Sequence, residues 1–136
     1  MKNGAHLIYL KFTLDNMDCI KIIITKILYI TYDYIITMVN LYRRGRIAER
    51  KVMNRLAELG WYNLVRSRRS RGPWDIRGRT PKGCKAYIQV KSYTAEASEE
   101  EIKRLRRYAK EHNGVAILAK YYGGGKIRFK FLGNWC

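Results

Sequence analysis

The residues that build most transition-metal sites are scarce. The chain has two histidines, His6 and His112, and three cysteines, Cys19, Cys84 and Cys136. None stands in C-x-x-C or mixed Cys/His spacing, which excludes a zinc-finger type of site. An odd number of widely separated cysteines predicts no disulfide framework and fits a reducing, cytoplasmic setting. A long uncharged apolar run is also missing. Lys21, Lys26 and Asp33 interrupt CIKIIITKILYITYDYIITM, so the sequence predicts no membrane-spanning segment. No small-residue cleavage site follows it, as a signal peptide would require. No internal repeat is visible.

Acid is the third shortage. Over 136 residues, 11 Asp and Glu face 28 Lys and Arg, a formal charge of +17. So large an excess repels itself and is relieved by a polyanion. Nucleic acid is the expected partner, and an anionic membrane surface is the weaker alternative. The charge is unevenly placed. Residues 1–37 carry four Lys or Arg and three Asp or Glu, whereas residues 38–136 carry 24 and 8. Residues 1–37 therefore read as an N-terminal extension whose composition is that of translated AT-rich DNA. Met38 is the expected natural start; an extra strand or helix packed on the domain is the alternative. The length suits one domain, residues 38–136.

Within that domain the apolar pattern alternates between helix and strand periods. Ala48, Val52, Leu56 and Leu59 recur at helical spacing from about Tyr42, and Gly60 is a natural stop. WYNLVR reads as a strand, SRRSRGP as a basic loop, WDI as the start of a second strand, GRTPKG as a turn and AYIQVK as a third strand. Period two puts Tyr87, Gln89 and Lys91 on one face and Ile88 and Val90 on the other. Ser98 and Glu101 form an S-x-x-E capping box that opens a second helix with Ile102, Leu105 and Ala109 inside. Asn113-Gly114 ends it. VAILA is a strand covered on both faces. After the GGG turn, KIRFKFL alternates, with Ile127, Phe129 and Phe131 inward. The order is helix, three strands, helix, two strands: an α/β domain.

The few carboxylates are placed where they could meet. Glu49 lies three, four and seven positions before Val52, Met53 and Leu56, on or beside the apolar stripe. Asp75 starts the second strand, and a hairpin with the third would set it beside Gln89 and Lys91. Buried carboxylates are costly unless paired or metal-bound. Two carboxylates and an amide oxygen suit a hard cation such as magnesium, with manganese as the substitute. A lysine beside it can position a water and stabilise phosphate charge. Spacing alone equally allows an Asp75–Lys91 salt bridge and a Glu49–arginine pair with no chemistry.

The ordered set YRRGRIAERKVMNRLAELGWYNLVRS, then DI, then YIQVK, resembles the archaeal Holliday junction resolvases of the PD-(D/E)XK nuclease superfamily. The resemblance runs from about Tyr42 to Leu132 and is most specific up to Lys91. It implies a restriction-endonuclease-like core, with a mixed central sheet flanked by helices. It also implies a magnesium-dependent endonuclease acting on branched DNA as a homodimer in recombination and repair. By position, Glu49 would support the metal site, Asp75 would be its principal ligand and Lys91 the catalytic lysine. Arg50 and Arg66 would touch phosphates near the scissile bond, and Ser70 would be a substrate contact in a loop with Arg68, Arg69 and Arg71. Tyr42, Arg43, Arg44 and Arg46 would form a DNA-touching edge. Gln89 departs from the family pattern, which has glutamate there. The amide keeps an oxygen donor and loses a charge, as in restriction-type relatives that are similar in using Q-x-K. A DNA-binding protein with a decayed site, or a general nuclease, is the alternative.

Overall fold

The computed structural model describes the backbone of residues 2–68 and 72–136, with side chains from Asn16 onward. A single helix, α1, runs from Lys2 to Glu58. Strands β1 (Tyr62–Arg66), β2 (Ile76–Arg79) and β3 (Lys85–Ser92) follow, then helix α2 (Glu99–Glu111), then β4 (Val115–Gly123) and β5 (Lys126–Asn134). The chain divides into two units, Met1–Leu41 and Tyr42–Cys136, and the boundary falls inside α1.

In the first unit every residue from 16 to 41 is exposed, including a near-continuous series of Ile, Leu and Tyr. Apolar residues of a surface helix ordinarily face a core, and here they are exposed. This helix is long and apolar enough to cross a membrane by length and composition, with a mean hydropathy of 1.6 over an 18-residue window. Lys21, Lys26 and Asp33 do not break it, since isolated charges leave helix propensity intact.

The second unit is a five-stranded mixed sheet in the order β1-β2-β3-β4-β5. The pairs β1/β2, β2/β3 and β4/β5 are antiparallel, and β3/β4 is parallel. A parallel pair needs a crossover, and α2 supplies it. The expected element order is the observed one. Ala48, Val52 and Leu56 are buried, and Val52 and Leu56 pack on one sheet face with Ile76, Ile88, Val115 and Ile117. On the other face Leu105 and Ala109 of α2 pack with Tyr87 and Ala116. Gly60, at φ +88°, closes α1. Its N–H donates to the Ala57 carbonyl and that of Trp61 to the Leu56 carbonyl, the paired bonds of a Schellman cap.

Two expectations need correction here. Phe131 is exposed, not inward. Phe131 keeps the alternation, pairing with Ile117 as Phe129 pairs with Ala119, but its side chain is left uncovered. Leu132, of opposite parity, packs on the α2 face, and the irregularity of the ladder lies beyond Phe131. The cysteines are not all unpaired either. Cys84 and Cys136 form a disulfide with Cα atoms 5.7 Å apart. The cause is register. Ala86 pairs with Val115 and Val115 with Asn134, so Cys84 and Cys136, each two residues further out, meet at one end of the sheet. The argument from cysteine usage to a reducing compartment loses its basis. Cys19 is free and exposed.

Candidate active site

The β2/β3 register decides which polar groups meet. Ile76 pairs with Ile88, so Asp75, one residue earlier, lies at the level of Gln89. Its own N–H donates to the Ile88 carbonyl at 2.8 Å. Its Oδ2 accepts the Val90 N–H at 2.7 Å. The carboxylate is thereby fixed across the hairpin, between β3 and α1. Glu49 approaches from the helix, one turn before Met53 on the buried stripe. The expected convergence of Glu49, Asp75, Gln89 and Lys91 is observed: all four line one open cavity of about 300 Å³.

Electrostatics registers the closeness of the two acids. Burial pushes the Glu49 carboxyl up from its ordinary value, and Asp75 pushes it further, against Arg66 and Arg46. Burial likewise raises Asp75, opposed by the Val90 hydrogen bond and by Lys91 and reinforced by Glu101. Both acids are held where their charge is disfavoured. Glu49 Oε2 lies 3.5 Å from Arg66 Nε, so that part of the purely structural reading is present. The Asp75–Lys91 bridge that it also required is not formed. Lys91 Nζ instead donates to Glu101 Oε1 at 2.8 Å.

Glu101 is the residue that sequence reasoning missed. It was accounted for as the capping-box acid, and it does cap, accepting the Ser98 N–H on Oε2 at 2.8 Å. Its other oxygen takes Lys91 and also the Gln89 Nε2, at 3.2 Å. Arg104, one turn on, lines the same cavity. The parity of β3 was the available signal: Gln89 and Lys91 share the face that α2 covers.

Would these residues suit a divalent cation? Among the described residues no three His, Cys, Asp or Glu side chains group as a metal site. The oxygen donors are two carboxylates and an amide. The Gln89 Oε1 is buried without a hydrogen-bond partner. An orphaned buried acceptor beside two acids of raised pKa is the environment that a hard cation would satisfy. The donor set fits.

A second cavity, of about 630 Å³, shares Glu49 and Asp75 with the first and is lined by Tyr42, Arg46, Arg66, Ser67 and Arg68. The acids thus stand between a lysine side and an arginine side. Arg43, Arg44 and Arg50 are exposed and line neither cavity. Arg44 stacks over the Tyr93 ring at 5.6 Å. The remaining expected contacts, Arg69, Ser70 and Arg71, lie outside the described residues.

A five-stranded mixed sheet with a helix on each face defines an α/β fold. Among solved structures the chain is similar to Hjc, a Holliday junction resolvase of the archaeal hyperthermophile Archaeoglobus fulgidus. The identity is 21% and the TM-score 0.55, over 65% of this chain and 72% of that one. At that identity the likeness is one of fold. No protein-family model and no curated protein matches the chain.

Proposed function

We propose that residues 42–136 form a divalent-metal-dependent endonuclease of the PD-(D/E)XK type, hydrolysing phosphodiester bonds in branched DNA as Holliday junction resolvases do. The observation that carries this reading is the meeting of Glu49, Asp75, Gln89 and Lys91 in one cavity beside an arginine-lined one. Magnesium is the proposed ion, with manganese able to replace it, held by Asp75, Glu49 and the Gln89 Oε1. When bound, it supplies Lewis-acid stabilisation of phosphate charge and a more acidic water. The chain's own part is positional. The Val90 N–H locks the Asp75 carboxylate. Lys91 brings an ammonium to the cavity, where it stabilises negative charge on phosphate oxygens. Arg46, Arg66 and Arg68 hold the DNA backbone without reading sequence.

A homodimer accounts best for symmetric action, since two sites are needed for two strands. A nuclease that acts on cellular DNA works in the cytoplasm. A DNA-binding protein without cleavage is the second reading, and the loss of a carboxylate at position 89 is what favours it. The two separate on a labelled four-way junction. Magnesium-dependent cuts near the branch, lost in Asp75→Asn with binding retained, support the nuclease. Binding without cuts in magnesium or manganese supports the alternative.

A further inference from the structure

Gln89 presents a problem of orientation. A side-chain amide has a donor end and an acceptor end of nearly equal shape, and only the oxygen can serve a cation. Nothing in strand geometry decides which end faces the cavity. In this chain Glu101 decides it. Its Oε1 accepts the Gln89 Nε2 at 3.2 Å, so the nitrogen is committed to α2 and the buried Oε1 is left without a partner. The same Glu101 oxygen holds the Lys91 ammonium at 2.8 Å. Glu101 is itself held. Its Oε2 accepts the Ser98 N–H, and its backbone N–H donates to the Ser98 Oγ. A helix cap thus fixes one carboxylate, and that carboxylate fixes two neighbouring residues of the candidate site.

Resting on the nuclease reading above, we propose that Glu101 is a positioning residue that makes glutamine competent at position 89, with Gln89 and Glu101 forming a matched amide–acid pair. The pair has a definite chemical sense. A carboxylate at 89 would face the Glu101 carboxylate at the distance where Nε2 now donates, and like charges so close repel strongly. Glutamine is the residue of this shape that offers a donor to Glu101 and keeps an oxygen free of protein partners. Beside Glu49 and Asp75, the third carboxylate of the cavity is carried on α2 rather than on β3.

The test uses the full chain and reads manganese binding by calorimetry and melting temperature beside cleavage. Glu101→Ala is expected to weaken manganese binding by about 10- to 100-fold, the usual effect of removing a partner that orients a metal ligand. Gln89→Glu alone is expected to weaken it too, because two carboxylates then oppose each other. The double variant Gln89→Glu with Glu101→Gln, which exchanges acid and amide, is expected to restore it. Ser98→Ala is the structural control. It removes a cap bond to the same helix, so it should lower the melting temperature and leave manganese binding in place. Equal manganese affinity in Glu101→Ala and wild type overturns the proposal, as does tighter binding by Gln89→Glu with Glu101 intact. If the wild-type chain takes up no manganese, the nuclease reading fails and this proposal falls with it. Uptake that is indifferent to Glu101 overturns the proposal alone.

Discussion

Asp75 is where function and stability pull apart. Its carboxyl is raised above its ordinary value chiefly by burial. A raised folded-state pKa means that the fold prefers the protonated form. The group's contribution is therefore full below the ordinary carboxylate range and is lost as pH rises through the raised value. At neutral pH the ionised Asp75 costs stability. Asp75→Asn, whose amide oxygen can still accept the Val90 N–H, should melt higher than wild type at pH 8, with the gap narrowing at pH 4. It should also lose cleavage. A variant that melts lower at pH 8 contradicts the assignment of burial as the dominant cause. Glu101 has the opposite sign. Lys91 lowers its pKa through a direct hydrogen bond, so its contribution is present at neutral pH and fades in acid as pH falls through the lowered value. Lys91→Met should lose cleavage, keep DNA binding, and shrink that acid-side loss, the Ser98 N–H bond to Glu101 sustaining the remainder. An unchanged acid-side melting profile in this variant would show that the pair contributes nothing. At this scale Asp75, Gln89 and Lys91 were legible in the sequence, because strand parity and a hairpin suffice to place them. The second role of Glu101 was not, because the capping box already explained that residue locally.

Elements were legible wherever a local signal fixes them. The end of α1 could be read at Gly60 because a left-handed backbone is needed there, at φ +88°. Gly60→Ala should cost about 1 kcal/mol or more in urea unfolding, the penalty for a β-carbon in that region. An unchanged midpoint would mean that the cap contributes little. The start of α1 could not be read. The helical pattern was read from about Tyr42, whereas α1 runs from Lys2. On β5 the alternation holds through Phe131, opposite Ile117, but parity fixes a face and not what covers it, and Phe131 is left exposed.

At the scale of the whole molecule, what escaped the sequence was what the sheet brings together. The Cys84–Cys136 disulfide closes a sequence separation of 52 residues, and only the β3-β4-β5 register makes the two ends neighbours. A loop of that length corresponds to about 4 kcal/mol of chain-entropy stabilisation. Reduction should therefore lower the melting temperature clearly, and Cys84→Ala should match the reduced protein; a melting temperature indifferent to reductant would contradict the bond's role. The net charge was legible from composition, whereas the arginines of the cavity beside the acids, Arg46, Arg66 and Arg68, were marked out only by the resemblance. The central claim is that this cavity and its neighbour together cut DNA. The most direct measurement incubates the purified full chain, and its Asp75→Asn variant, with a labelled four-way junction and a matched linear duplex, each in magnesium and in EDTA. The account predicts paired, magnesium-dependent cuts near the branch by wild type, none by Asp75→Asn, and binding of the junction by both. Tight binding with no cuts by wild type in magnesium or manganese, or cutting that survives Asp75→Asn, would contradict it.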